Sequence, residues 1–198
     1  DLSFTLLEDG SLSEALVATD SDGDALSYSI LSLPTNGTLR TGSNAVVSDQ
    51  DLPFTLGDAN FTYLPDLNFN GADSFTYVAN DSTQDSNVST VSLSISAVND
   101  APVANDQSIQ LVEDTPFSGN LSGVDVEDSA LQYSLDTAPS NGSAAINPNG
   151  GFIYTPDPDF NGSDRLTFTV SDGQEISLPG TLEIAVVASN DAPVAGDV

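Results

Sequence analysis

Apolar residues recur at every second position in several runs along the chain. Phe75, Tyr77 and Ala79 alternate with Ser74, Thr76 and Val78, and Val91, Leu93, Ile95 and Ala97 alternate with Ser92, Ser94 and Ser96. Leu182, Ile184, Val186 and Ala188 repeat the second of these patterns. Period two places successive side chains on opposite faces, so each run predicts a β-strand with one face in a core and one in water. Leu26–Ile30 and Leu131–Leu135 form another matched pair of strand segments. Asn-Gly, Asp-Gly and Pro interrupt these runs at intervals of about 8–12 residues, the spacing of turns in an all-β sandwich. No window carries a helical stripe.

The strand pattern is written twice. Glu8-Asp9, Asp20, Leu26, Tyr28, Pro34 and Asn36-Gly37 return 105 residues later as Glu113-Asp114, Asp125, Leu131, Tyr133, Pro139 and Asn141-Gly142. The offset then falls to 91: Tyr63, Pro65, Phe69-Asn70-Gly71, Asp73 and Asp81 match Tyr154, Pro156, Phe160-Asn161-Gly162, Asp164 and Asp172. Val98-Asn99-Asp100-Ala101-Pro102 likewise returns as Ser189-Asn190-Asp191-Ala192-Pro193. A fixed self-match at this distance is the mark of tandem modules. The expected division is 1–100 and 101–191, each a seven-stranded Greek-key sandwich joined end to end, with 192–198 opening a further repeat or linker. The first copy carries an insertion over about 38–60, read as an extended loop or an extra hairpin. In Phe69-Asn70-Gly71 and its counterpart, the Phe is expected to plug the end of the sandwich and Asn-Gly to supply a turn with positive φ.

Charge changes the picture most. Thirty acidic residues face two basic ones, a net charge of −28. Such a chain cannot hold nucleic acid through phosphate contacts, and anionic membrane surfaces repel it. Cys, Met, Trp and His are all absent. That excludes disulfides, thiol nucleophiles, zinc–thiolate sites and the usual general base. The remaining ligand chemistry is oxygen, which suits calcium. No apolar run reaches the ~20 residues of a membrane span. The composition fits an extracellular protein of a bacterial cell surface. The chain opens in mid-pattern at Asp1, with no leader, and reads as a piece of a longer array.

Acidic groups recur at four equivalent places. They are Glu8-Asp9 and Glu113-Asp114; the loop Asp20-Ser21-Asp22-Gly23-Asp24 and its counterpart Asp125-Val126-Glu127-Asp128; Asp73 with Asp81 and Asp164 with Asp172; and Asn99-Asp100 with Asn190-Asp191. The Asp20 loop begins like an EF-hand but puts Ala25 where glycine is required and Leu31 where a bidentate Glu is required. A carboxylate pair for glycoside hydrolysis is disfavoured, because the acidic residues recur in both copies instead of forming one unique site. Seven Asn-x-Ser/Thr sequons read mainly as turn asparagines.

Taken with the Ala18–Gly23 loop, the Phe69–Tyr77 block and the Val98–Val103 joint, these groups resemble the cadherin-like tandem repeats of large secreted bacterial adhesins, including the RTX type. The resemblance covers the whole chain and implies calcium held between modules. Carried over, it implies an interdomain set of Glu8, Asp73, Asn99, Asp100, Asp125, Glu127 and Asp172, with Asp128 as an additional or alternative ligand. Asp20, Asp22, Asp24 and Asp81 would form an N-terminal half-site. Glu113, Asp164, Asn190 and Asp191 would form a C-terminal one. The joint departs from the cadherin pattern at Ala97 and Ala101, which implies a leaner site of one or two ions. The implied function is a calcium-rigidified extender for cell or surface adhesion and biofilm, whose partners are adjacent repeats. The alternative is a module that binds polysaccharide or a cell-surface protein, with 38–60 as its recognition surface.

Overall fold

The computed structural model describes residues 1–127 and 130–192. Asp128, one of the expected ligands, therefore lies outside the described residues, as does most of the 192–198 segment. The chain divides into two compact units, Asp1–Val98 and Asn99–Val198.

The first unit holds β1 (Leu2–Leu7), β2 (Leu12–Ala15), β3 (Ser27–Ser32), β4 (Gly37–Thr41), β5 (Phe54–Thr55), β6 (Asn60–Pro65), β7 (Gly71–Asn80) and β8 (Ser89–Ser96). One sheet has the order β1-β8-β7-β3-β5 and the other β2-β6-β4. The second unit holds β9 (Val103–Ala104), β10 (Gln107–Val112), β11 (Phe117–Asn120), β12 (Gly123–Val124), β13 (Gln132–Thr137), β14 (Gly142–Ile146), β15 (Gly151–Pro156), β16 (Gly162–Ser171) and β17 (Gly180–Val187). Its sheets are β10-β17-β16-β13 and β11-β15-β14, with a short β12-β9 pair. The only helical element among the described residues is a 3-10 turn at Asp49–Asp51.

Each unit is a β-sandwich, as the period-two pattern implies. Along β8, Val91, Leu93 and Ile95 are buried while Ser92, Ser94 and Ser96 are exposed, and β17 repeats this with Leu182, Ile184 and Val186. The first core gathers Ile30, Leu39, Phe61, Tyr63, Phe75 and Tyr77 with these residues of β8. The second gathers Phe152, Tyr154, Leu166, Phe168 and Val170 with those of β17. At about 1.5–3 kcal/mol for each large apolar side chain removed from water, these clusters supply most of the drive to fold. In both units the entry strand runs parallel to the last one, β1 with β8 and β10 with β17. This brings Glu8 and Glu113, just past those entry strands, to the exit end of each unit.

Phe69 and Phe160 pack against their cores. Gly71 and Gly162 follow at φ +135° and +139°, a region that L side chains rarely adopt. The left-handed residues of these turns are Asn68 and Asp159, both at φ 58°, one position before the Phe and not at the Asn that follows it.

The insertion is more than a loop. Thr41 donates its N–H to Ala45 O at 2.8 Å, and Val47 to Leu39 O at 3.0 Å, closing a tight turn on β4. The chain then reaches β5, which lies antiparallel to β3 with Ser29 opposite Thr55 and Ile30 opposite Phe54. Leu52, Phe54 and Leu56 join the core, and Ile30 is fully buried. The second unit has no such segment, and Leu135, the match of Ile30, is 38% exposed.

Candidate metal centre

The carboxylates fall into two chemically distinct kinds. Asp73 and Asp164 are buried and internally satisfied. Asp73 lies on β7 opposite Leu93. Its oxygens accept N–H bonds from Thr35 (3.0 Å), Asn36 (2.9 Å) and Ser74 (2.8 Å) and the hydroxyl of Tyr63 at 2.9 Å. Asp164 repeats the arrangement with Ser140, Asn141, Arg165 and Tyr154 at 2.9, 2.9, 2.9 and 3.0 Å. Each tyrosine hydroxyl also lies within bonding distance of the carbonyl of Asn36 or Asn141. Desolvation pushes these carboxyls up, but the backbone N–H groups and the tyrosine together outweigh it and hold both below the ordinary aspartate value.

Asp73 and Asp164, both expected as ligands, thus meet donors within their own unit. Their lone pairs anchor the turn that precedes β4 or β14 to the opposite sheet. The paired tyrosines, Tyr63 and Tyr154, complete that anchor.

A group whose folded pKa is lowered contributes stability above its unfolded pKa and loses it as pH falls through the folded one. Both units should accordingly hold a stability plateau above about pH 4 and lose it progressively below. Denaturant midpoints across that range measure the effect. In Asp73→Asn with Asp164→Asn the acid slope should be shallower.

The second kind lies at the module ends. Glu8 is 2% and Glu113 4% exposed. Glu8 accepts the N–H of Val98 at 2.7 Å and the amide of Asn70 at 3.4 Å. Glu113 accepts those of Ser189 and, at 3.2 Å, Asn161. Each Glu thus ties the outgoing chain to the Phe-Asn-Gly turn of its own unit. Asn70 and Asn161 have a role beyond the turn, which their repetition after Phe did not disclose.

The entry loops show a second common device. Asp20 Oδ1 accepts the N–H of Asp22 (2.8 Å) and Asp24 (3.1 Å), and Asp125 Oδ1 accepts that of Glu127 at 3.0 Å. Asp81 Oδ1 takes Thr83 and Gln84, and Asp172 Oδ1 takes Gln174 and Glu175. These bonds lower the pKa of both, led by the N–H of Gln84 for Asp81 and that of Glu175 for Asp172. Asp20, Asp22, Asp81 and Asp85 line one cleft, so three of the four N-terminal candidates share a site. Asp24 is tied to it only through its backbone.

In the second unit the residues Asn99 and Asp100 join this device. Asn99 Nδ2 donates to Asp172 Oδ2 at 2.8 Å, and Asp100 N–H to Glu127 Oε2 at 3.0 Å. Five of the seven expected interdomain ligands (Asn99, Asp100, Asp125, Glu127 and Asp172) therefore form one hydrogen-bonded group. These bonds explain why Asn99 and Asp100 belong to the second unit.

At the exit end, Asp114, Asp159 and Asp191 bring one oxygen each to within 4.8 Å of one another, all three exposed. Asp191 is pushed up by desolvation and by the charges of Asp159, Asp114 and Glu113. Asp191 and Glu113 were expected there. Asp114 and Asp159 stand beside Asp191 here, and Asp164 is not in this group. Asp159 was missed because its match in the first copy is Asn68, so no repeated acid marked it. The spacing fits calcium, whose ligand oxygens sit at about 2.3–2.6 Å from the ion and so up to about 5 Å apart. The chain has no lysine, and its two arginines, Arg40 and Arg165, lie on β4 and β16.

The family described as Bacterial Ig domain matches residues 1–94 and again 99–185. The chain is 26% identical over 178 residues to "Integrin beta-like protein B" of Dictyostelium discoideum, covering 86% of this chain but only 9% of that protein. Among solved structures it is similar to human mucin-like protocadherin EC1-2, with a TM-score of 0.52, 18% identity and coverage of 94% and 96% of the two chains. Human CDH23 EC21-23 gives a TM-score of 0.51 at 15% identity, over 93% of this chain and 67% of that one. At these identities the likeness concerns the fold alone. An endo-fucoidan hydrolase is matched over 28% of its chain at a TM-score of 0.37, too low to carry an argument. With two consecutive matches spanning nearly its whole length, the chain belongs to the bacterial Ig domain family, in two tandem copies with a cadherin-like fold.

Proposed function

We propose that the chain is a calcium-binding extender of a secreted bacterial surface adhesin, of the RTX type that the sequence resembles. The observation that carries this reading is the convergence of Asp114, Asp159 and Asp191 at the exit end of the second unit, beside a repeat of the linker sequence. Three carboxylates at such spacing repel one another unless a cation joins them. The same chemistry is offered to the linker by Asp125, Glu127 and Asp172. Calcium bound by linker carboxylates and by Glu8 at the end of the preceding unit restricts the angle between repeats, and the adhesin gains reach and stiffness. The integrin-like name of the relative accords with an adhesion role outside the cell. Asp73 is left out of the ligand set, since its oxygens are already occupied.

Calorimetric titration of the chelator-stripped chain with calcium should give dissociation constants of about 10⁻⁴–10⁻³ M. At tenfold excess over that value each site adds about 1.4 kcal/mol. Asp191→Asn should remove one binding event without altering the fold. Small-angle scattering should narrow its interdomain distribution on adding calcium. Absence of binding heat together with unchanged scattering would overturn the reading.

A further inference from the structure

The two units differ at one sheet edge, and the first unit shows what the second lacks. On β3 the stretch Tyr28-Ser29-Ile30 is covered by β5. Leu56 donates its N–H to Tyr28 O at 2.9 Å, the hydroxyls of Ser29 and Thr55 meet at 2.9 Å, and Ile30 faces Phe54. On β13 the matching stretch is Tyr133-Ser134-Leu135, with nearly the same side chains. Here β13 ends its sheet, with no further strand beside it among the described residues. Pro148 occupies the place of Leu56. Its carbonyl accepts the N–H of Tyr133 at 3.0 Å, but as a proline it has no N–H to return.

From Ser134 to Thr137 every residue of β13 is exposed. A β-bulge commonly guards such an edge. Both strands carry one at the same place, between Ile30 and Ser32 and between Leu135 and Thr137, and it does not stop β3 from pairing.

We propose that the free edge of β13 is a docking site for an extended, non-acidic segment of a partner protein, which adds antiparallel as a fifth strand. The first unit supplies the chemistry of the occupant. Its own covering segment, Leu52-Pro53-Phe54-Thr55-Leu56, carries no charge, and sets an aromatic against Ile30 and a hydroxyl against Ser29. A segment of that kind on β13 removes Leu135 from water and pairs the outward backbone groups of Leu135. Main-chain bonds then supply affinity, and the side chains opposite Ser134 and Leu135 supply selectivity. A second copy of this chain is the weaker occupant, because it brings another 28 negative charges. The proposal does not rest on calcium.

The test uses the 198-residue chain and a fluorescent synthetic peptide bearing the Leu52–Leu56 sequence between flanking lysines. The control peptide is N-methylated at Phe54, the residue set opposite Leu135, which keeps charge and side chains but removes that N–H. Binding should saturate, weaken at least tenfold for the methylated peptide, and persist in chelator. Leu135→Pro should abolish it. Leu135→Lys, which leaves the backbone able to pair, should weaken it several-fold with the fold intact by circular dichroism. Equal binding of the two peptides would reduce the effect to charge attraction and overturn the proposal, as would no binding. Concentration-dependent dimerisation abolished by Leu135→Lys would assign the edge to a second copy instead and would equally overturn it.

Discussion

Asp73→Ala should unfold the first unit at a temperature at least about 10 °C below that of the unaltered chain, and Asp164→Ala should do the same to the second. Each aspartate is buried and receives three backbone N–H groups and one tyrosine hydroxyl. Truncation strands these donors, at about 1–3 kcal/mol for each one left without a partner. Part of that returns as water enters beside Thr35 or Ser140, so a net loss of about 3–5 kcal/mol is expected. This is a large share of the 5–15 kcal/mol that holds a typical domain together. A loss of 1 kcal/mol lowers the melting temperature of a domain this size by about 4–8 °C. Tyr63→Phe removes one donor and leaves the backbone bonds, so it should cost only about 1 kcal/mol. Differential scanning calorimetry of the three variants checks the order. If Asp73→Ala were as mild as Tyr63→Phe, the carboxylate would not be the anchor described, and its assignment as a metal ligand would regain force.

The second large effect is expected at Gly37 and Gly142, the glycines of the two Asn-Gly turns. A Cβ on Gly37 would stand 2.5 Å from Leu64 O and 2.6 Å from the Tyr63 ring. On Gly142 it would stand 2.5 Å from Thr155 O and 2.9 Å from the Tyr154 ring. Relief requires both the strand carbonyl and the tyrosine ring to move, and moving the ring disturbs its bond to Asp73 or Asp164. Overpacking of this kind costs about 1–3 kcal/mol, and the disturbed hydrogen bond adds up to about 1 kcal/mol more. Gly57→Ala is the control: nothing lies within 4 Å of its Cβ position, and surface changes of this type stay within about 0.5 kcal/mol. Urea midpoints of the three alanine variants measure the difference. Equal midpoints for Gly37→Ala and Gly57→Ala would mean that the turn can open without disturbing the tyrosine.

The sandwich was legible in the chain because its cause is local. Alternation of apolar and hydroxylic residues along Val91–Ser96 and Leu182–Val187 is set by the pleat, and the self-match at 105 and 91 residues announces two copies without any tertiary knowledge. The acidic residues of the loops were legible too, since Asx turns at Asp20 and Asp172 depend on the next few backbone N–H groups. What the sequence could not show is which carboxylates keep a lone pair for a cation. Asp73 and Asp81 look alike as repeated acids eight residues apart on one strand and its following turn. Only the packing of the Asn36 turn against β7 occupies the first and leaves the second at the surface.

The same holds for Asp159, whose partners Asp114 and Asp191 lie 45 and 32 residues away in the chain. It holds also for the edge at β13, which is open because a segment present in one copy is missing from the other. Strand identity and the number of copies follow from residue type, the period-two pattern and the self-match along the chain, and the sequence by itself determined them. The division of carboxylates between anchor and site, and of sheet edges between covered and open, depends on contacts between residues distant in the chain. Those contacts exist only once the two sheets of each unit have closed on their core, and the tertiary structure alone decided them.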